Sequence, residues 1–445
     1  MRQSIAIAAV GCVLGGQLTA QESENGSASW KAWLLGTQVN VITQHLWPLN
    51  SLYASTKSLL AGGDTKTSHA YGIYAGAKMS RRLDGYLDVE MIRGGGISQV
   101  TGLGGPTNGD VIRQGSADLG TGPYVARAYL RYTIARSGGA FDTLARAQDQ
   151  VPSIVASRRI EVFAGKLALS DLFDLNRYAN STRTQFMDWA LFQNTAWDFA
   201  ADTRGYTNGV AVAWITPRVA LRVGSFQMPT EANGNKFDSD LRRAHGDQGE
   251  LTVALPWTQT VARLLAFDNH ARMGSYADAL ARARATGSTP DIVGDDRPGR
   301  SKYGAGLNIE QPLADSGETG AFSRLGWSDG RNESFAFTEV DRHASLGVQV
   351  SGAKWRRPLD RFAVAGVVHA ISQVHADYLA AGGSGFLLGD GRLRYGREQI
   401  VEAYYRLQLG TYMQVSPDVQ VIHSPGYNRD RGPASVAGVR FNLRY

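Results

Sequence analysis

The run from Glu398 to Tyr445 constrains the fold more than any other stretch of this chain. One set of alternate residues reads Val401, Ala403, Tyr405, Leu407, Leu409, Thr411, Met413 and Val415. The other reads Glu398, Glu402, Tyr404, Arg406, Gln408, Tyr412 and Gln414. A period of two belongs to a strand and not to a helix. Ser416-Pro417-Asp418 is expected to break the run as a turn. The alternation resumes from Val419 to His423, and a polar loop spans 424–433. The chain then ends on Ala437, Val439, Phe441, Leu443 and Tyr445 opposite Gly438, Arg440, Asn442 and Arg444. Two architectures fit such a tail. One is a half-buried edge strand of a soluble sheet; the other is the closing strand of a membrane barrel, with one face in lipid and one in water.

The rest of the chain separates them. Period-two segments run from Leu34 to Leu46, Tyr71 to Met79, Gly85 to Met91 and Tyr124 to Tyr132. Others lie near 159–167, 206–215, 218–227, 249–256, 259–268, 302–311, 320–328, 343–352 and 361–371. With the tail they make about sixteen strands, and the connections alternate in length. Ser80-Arg81-Arg82, Thr216-Pro217-Arg218, Pro256-Trp257-Thr258, Pro312 to Thr319 and Trp355 to Asp360 are short. Those near 47–69, 94–122, 168–205, 228–248, 269–301, 329–342 and 372–397 are long. Short turns on one rim and long loops on the other predict an all-β, antiparallel transmembrane β-barrel with short periplasmic turns and long extracellular loops. A soluble sandwich has no need of so many strands in strict sequence with one-sided loops. The exception is Ala135 to Ser157, a long connection on the short-turn side, which holds either a small helix or an uncounted hairpin.

Composition agrees. In 445 residues there are 52 glycines and 18 tyrosines, as suits a turn-rich sheet with interfacial aromatics. Beyond the N-terminus no apolar run approaches the ~20 residues of a spanning helix. Residues 1–20 read as a secretory signal: Arg2, an apolar core from Ile5 to Gly15, and Leu18-Thr19-Ala20 before Gln21. Residues 21–33 are then a short periplasmic segment and 34–445 the barrel. The one cysteine, Cys12, falls inside the signal, where Ala9-Val10-Gly11-Cys12 also bears a faint lipoprotein-like pattern. Without Arg2 there are 45 basic against 40 acidic side chains, too even a balance to imply nucleic acid.

A barrel of about sixteen strands is too wide for its own side chains to fill, so its bore holds water and its inward faces are polar. The pore-lining candidates are Asp88, Glu90, Arg127, Arg131, Lys166, Arg222, Glu310, Arg324, Glu402, Arg406 and Arg440, with Asn308 and Gln349 beside them. Each is read either as a selectivity group or as a solvated charge paired across the sheet. As a set they put arginine in excess over carboxylate.

The connection from Ser170 to Gly205 mixes Phe173, Tyr178, Phe186, Trp189, Phe192, Trp197 and Phe199 with charges. A loop this apolar is expected to fold into the barrel mouth and not into solvent. Its constriction candidates are Trp189, Phe192, Trp197, Phe199, Arg183, Asp188, Asp198 and Arg204. Aromatic faces stack on the C–H faces of sugars while Arg and Asp hydrogen-bond hydroxyls. Equally, the aromatics anchor the loop to the inner wall, and the two readings are compatible.

No catalytic, metal or cofactor site emerges. Gly382-Gly383-Ser384-Gly385 runs into Phe386 and lacks the last glycine of a nucleophile elbow. The eight histidines, His369 and His375 among them, keep no metal-ligand spacing and read as wall or loop residues.

Several segments resemble the carbohydrate-selective porin family (OprB type) of Gram-negative outer membranes. They are Gly62-Gly63-Asp64-Thr65-Lys66-Thr67, Thr184-Gln185-Phe186-Met187-Asp188-Trp189-Ala190-Leu191, Ala196-Trp197-Asp198-Phe199-Ala200 running on through Asp202-Thr203-Arg204-Gly205-Tyr206-Thr207-Asn208-Gly209, Pro417-Asp418-Val419-Gln420-Val421-Ile422 and Pro425-Gly426-Tyr427-Asn428. The resemblance covers most of the mature chain. It implies a sixteen-stranded barrel, integral to the outer membrane, passing mono- or oligosaccharides passively through an Arg/Glu-lined constriction narrowed by inward loops. Expected partners are sugars as permeants, outer-membrane lipid, the barrel-assembly machinery through the strand ending at Tyr445, and further copies of the chain. Two alternatives stand beside it: a general or anion-favouring diffusion porin, motivated by the basic lumen, and a barrel-borne lipid hydrolase.

Overall fold

The computed structural model of the chain describes residues 32–111 and 119–445. The expected signal at 1–20 and nearly all of the expected segment 21–33 lie outside the described residues. In chain order the strands are β1 (Trp33–Leu46), β2 (Asp64–Lys78), β3 (Leu83–Gly94), β4 (Tyr124–Ala135), β5 (Phe141–Leu144), β6 (Ser153–Ala156), β7 (Arg159–Leu167), β8 (Thr207–Ile215), β9 (Val219–Gln227), β10 (His245–Leu255), β11 (Thr260–Met273), β12 (Arg297–Ala314), β13 (Thr319–Ser328), β14 (Arg342–Ser351), β15 (Arg361–Ala370), β16 (Glu398–Leu409), β17 (Met413–His423) and β18 (Ala434–Arg444). All but β5 and β6 join one closed barrel of sixteen strands. Every barrel pair is antiparallel, and β1 closes on β18 from Gln38↔Arg444 to Leu46↔Val436. Closure leaves no open edge, so the backbone donors and acceptors are met within the wall, as a lipid surround requires.

The two faces are inverted relative to a protein dissolved in water. Leu346, Leu264 and Val401 are 65%, 57% and 50% exposed, whereas Arg324 and Glu402 are fully buried. In water the apolar belt is a liability; in lipid each leucine-sized side chain there contributes about 1.5–3 kcal/mol. Trp33, Trp214, Trp257, Tyr412 and Tyr445 stand exposed around the short-turn rim, as an interfacial girdle does.

The structure moves one expected turn. β16 ends at Leu409, which pairs with Met413, so the chain reverses at Gly410-Thr411-Tyr412. Ser416, Pro417 and Asp418 lie inside β17, paired with Arg440, Val439 and Gly438. A three-residue turn between paired positions keeps odd residues outward on both strands, so the alternation passes through the reversal unbroken. Gly410 supplies the left-handed backbone, with φ of 63°. Pro417 only interrupts the ladder to β16, where Tyr404↔Asp418 and Leu407↔Val415 flank it, because it has no N–H to give.

The long connection at 136–158 is a hairpin and not a helix. Its strands β5 and β6 form a two-stranded sheet of their own outside the barrel ladder. On the opposite rim the long loops carry α1 (Trp189–Phe192), α2 (Tyr276–Thr286) and α3 (Gln373–Ala380) and fold over the mouth or into the bore.

Candidate functional site

The connection from β7 to β8, residues 168–206, folds inside the barrel. Its backbone is gripped by side chains that point inward from the wall. Arg324 meets Asp174 at 3.0 Å and donates to the carbonyl of Ala179 at 2.7 Å. Asn308 donates to Asp174 Oδ1 at 2.7 Å. Glu250 and Glu310 each accept a backbone N–H, from Asp174 and Arg177, at 2.7 Å. Glu402 accepts from Met187 and Asp188 at 2.5 and 3.0 Å. Arg440 donates to the carbonyls of Thr182 and Gln185 at 2.6 Å, and Arg406 reaches Thr184 at 3.4 Å. A loop with unpaired peptide groups in a barrel would be costly to bury; here charged wall groups satisfy them. Removing one partner from such buried sets costs roughly 3–5 kcal/mol, because the other is left alone.

The aromatics divide. Trp197 is 1% exposed and donates its indole N–H to Gln248 at 2.7 Å. It packs with Phe199 and Phe173, at 4.8 and 6.2 Å between ring centres. Phe186 meets Tyr404 edge to face at 5.0 Å. These rings hold the loop down. Trp189 differs: half-buried, it stacks on Phe337 of the β13–β14 loop at 4.7 Å, and Phe192 lies against it at 5.2 Å.

Most of the loop's backbone contacts fall on β10 to β18; toward β1 to β4 it is held by side chains that keep partial exposure, Asp171 at 34%, Arg183 at 18% and Asp149 at 15%. Two arginines organise this side. Arg127 of β4 binds Asp171 of the loop with both Nε and Nη2, at 2.7 and 2.9 Å. It also touches Asp88 of β3 at 3.1 Å and Asp149, from the β5–β6 hairpin, at 3.2 Å. Arg183 of the loop holds Glu90 and Asp110 at 2.9 Å each. Tyr206 and Tyr124 donate to Glu90 at 2.6 and 3.3 Å. Burial opposes the charge on Arg183, but Asp110 and Glu90 outweigh it and hold the guanidinium firmly protonated. Burial pushes the Asp149 carboxyl well above the usual range despite Arg127. Asp171, whose side chain is 34% exposed, is the most solvent-accessible member of this set.

Of the sequence candidates, Asp88, Glu90, Arg127 and Arg183 meet on this side. Arg131 pairs with Asp84 at 2.7 Å nearer the short-turn rim. Arg222 lies 3.7 Å from Glu250 behind the loop, and Gln349 donates to the carbonyl of Glu318 at 3.0 Å. Lys166 pairs in register with Ala128 and Asn208, which face outward, and donates to the carbonyl of Val125 at 2.9 Å. It does not share the inner face with Arg127. Asp188 caps α1 through the N–H of Ala190, and Asp198 holds the N–H groups of Phe335 and Ala336. Arg204 stacks over Tyr124 at 4.5 Å by the long-loop mouth. His369 shares the hydroxyl of Thr195 with His343. Sequence reasoning missed Asp110 and Asp149. The misplaced length of 136–158 was the one signal for Asp149.

The model described as carbohydrate-selective porin, OprB family, matches residues 83–445. No curated protein matches the sequence. Among solved structures, OprB of Pseudomonas putida aligns with a TM-score of 0.69 at 14% identity, over 93% of this chain and 94% of that one. The outer membrane channel DcaP of Acinetobacter baumannii gives 0.49 at 9% identity, over 94% and 99%. OmpF of Salmonella typhi, in complex with daunomycin, gives 0.48 at 9% identity, over 92% and 97%. At these identities the likeness is one of fold.

Proposed function

The chain belongs to the carbohydrate-selective porin family and is an integral channel of the Gram-negative outer membrane, and we propose that carbohydrate crosses it along the strip between β1–β4 and the inner loop. The short-turn rim is then periplasmic and the long-loop rim extracellular. One observation carries this reading: the charged groups that join the loop to β1–β4, Asp171, Arg183, Arg127 and Asp149, keep partial solvent exposure, while the far-wall groups Arg324, Glu250, Glu310 and Glu402 that grip its backbone are buried and exposure returns there at Arg177 and Glu318 by the β12–β13 turn. The groups at this narrowing arrive already paired. A sugar hydroxyl meets donors and acceptors fixed in place, exchanges hydrogen bonds with them and moves on. Even leaving aside Asp88 and Asp149, two guanidinium groups face three carboxyl groups there, Asp171, Glu90 and Asp110, which speaks against an anion channel despite the arginine-rich lumen.

The test is single-channel conductance in a planar bilayer with a panel of mono- and oligosaccharides. Concentration-dependent closure by at least one of them is expected. Conductance indifferent to every sugar would remove the carbohydrate-selective reading. Two protein partners belong to the same proposal. Tyr445, outward and 60% exposed beside Tyr412, suits recognition of the last strand by the barrel-assembly machinery. Small outward residues on β2 to β4, Ala75, Ala77, Gly85 and Ala128 among them, leave a shallow recess that suits a second copy of the chain. Truncating Tyr445 should impair assembly in cells, and cross-linking at Ala77 should capture dimers or trimers.

A further inference from the structure

The hairpin at 136–158 stands out among the periplasmic connections, which elsewhere run to nine residues at most. Its stem is tied below the wall: Arg159 pairs with Asp142 at 3.2 Å, and Arg136 donates to the carbonyl of Arg158 at 2.8 Å. Its tip turns back up into the barrel. Val151 is fully buried against the inward side chains Leu34, Tyr74 and Tyr86. Room for it comes from Gly76, where a Cβ would stand 2.9 Å from Tyr86 and 3.1 Å from Val151. Higher up, Gln148 donates to Asp88 at 3.1 Å and Asp149 reaches Arg127 at 3.2 Å. Asp149 holds a left-handed backbone, φ 56°, an arrangement a non-glycine residue keeps only where its surroundings impose it.

Arg127 therefore joins two segments that enter from opposite rims: the inner loop through Asp171 and the hairpin through Asp149. Among the described residues Asp88 Oδ1 and Asp149 Oδ1 are both buried without a hydrogen-bond partner, so the tip rests on a cluster of like groups tied by one cation. We infer that the hairpin is a second constriction, entering from the periplasmic rim, and that Gln148 and Asp149 at its tip are specificity-determining groups for a polyhydroxylated permeant. This rests on the permeation path proposed above and adds the periplasmic half of it. A carboxyl and an amide on one side of Arg127, with Asp171 on the other, give a sugar ring acceptors and donors on two edges.

The test uses the full chain in planar bilayers. Three forms are compared with wild type: residues 145–152 replaced by Asn-Gly, Asp149→Asn, and Asp149→Cys. If Cys12 is lost with the signal, the introduced thiol is the only one present. The shortened hairpin should raise conductance and weaken sugar block. Because burial raises the Asp149 carboxyl, Asp149→Asn should shift the reversal potential in a salt gradient toward anions at alkaline pH, where the wild-type group ionises, and weaken sugar block at neutral pH. An anionic thiol reagent should close Asp149→Cys channels faster from the periplasmic chamber than from the other. Unchanged conductance and selectivity in all three, with sugar block of wild type intact, would overturn the hairpin's role and leave the porin reading standing. Absence of sugar block in wild type would instead strike the path itself, while the conductance of the shortened form would still decide whether the hairpin narrows the bore.

Discussion

Arg127 of β4 and Asp171 of the inner loop meet side-on, with two parallel hydrogen bonds of 2.7 and 2.9 Å. The same guanidinium faces Asp88 and Asp149, so it is the one cation among three carboxyl groups. Arg127→Glu replaces attraction by repulsion at all three contacts. The expected outcome is a reversal potential moved toward cations and a noisier open channel as the loop end at Asp171 is released. Unchanged selectivity would take Arg127 off the path.

Trp197 and Trp189 lie eight positions apart in one loop and should behave in opposite ways. Trp197 fills the core under the loop, so Trp197→Ala opens a cavity worth about 3–5 kcal/mol. The heat needed to unfold the barrel in detergent should fall and gel migration should show it. Trp189 stacks on Phe337 and stays half-buried. Trp189→Ala should leave the unfolding temperature nearly unchanged and weaken sugar block. A loss of sugar block from Trp197→Ala alone would reverse these assignments.

The strand count and the rim asymmetry were legible because lipid imposes an outward apolar residue at every second position, as at Val401, Ala403 and Tyr405. The inner face was harder. A charge that grips a loop and a charge that meets a permeant leave the same mark in sequence. Glu402 and Arg440 are anchored on the backbone of residues 182–188, whereas Arg127 and Arg183 pair with carboxyl side chains and stay partly exposed, and only three-dimensional pairing tells them apart. Lys166 misled by its charge alone: it keeps the parity of Ala164, an outward residue of β7, and the register runs through Gly165 unbroken.

The extracellular cap should loosen as pH rises. His375 of α3 is buried between Glu339 at 3.6 Å and Asp341 at 3.4 Å, with Tyr276 of α2 stacked on it at 4.2 Å. Asp341 in turn faces Lys302, which also pairs with Asp198. Burial opposes charge on His375, but its two carboxylate neighbours outweigh that and raise it above 6.5. The stability it adds is whole below its ordinary value and fades as pH climbs through the raised one. Burial likewise pushes Glu333, bonded to the N–H of Gly274, up to about 8. The folded cap holds its proton more tightly than the unfolded loop, so stability also falls from the ordinary carboxyl range up to about 8. Protease cleavage within 274–296 and 371–397 should be faster at about pH 9 than at about pH 6, and His375→Gln should flatten the difference. Equal cleavage at both would exclude the cap as a titrating unit.

Gly410 tests the corrected register of the tail. A Cβ there meets no atom within 4 Å, so space is not limiting. The left-handed backbone is, at roughly 1–2 kcal/mol for a side chain with a Cβ. β-Branching adds to that, so Gly410→Val should lower the unfolding temperature of the barrel and slow its assembly. Pro417→Ala should do neither, because it restores an N–H to a ladder that lacks one at that point. Were the reversal at Ser416-Pro417-Asp418 instead, Gly410 would lie mid-strand, valine would suit it well, and the two variants would exchange phenotypes. Heat-modifiable migration of both, measured side by side, decides between the two turns.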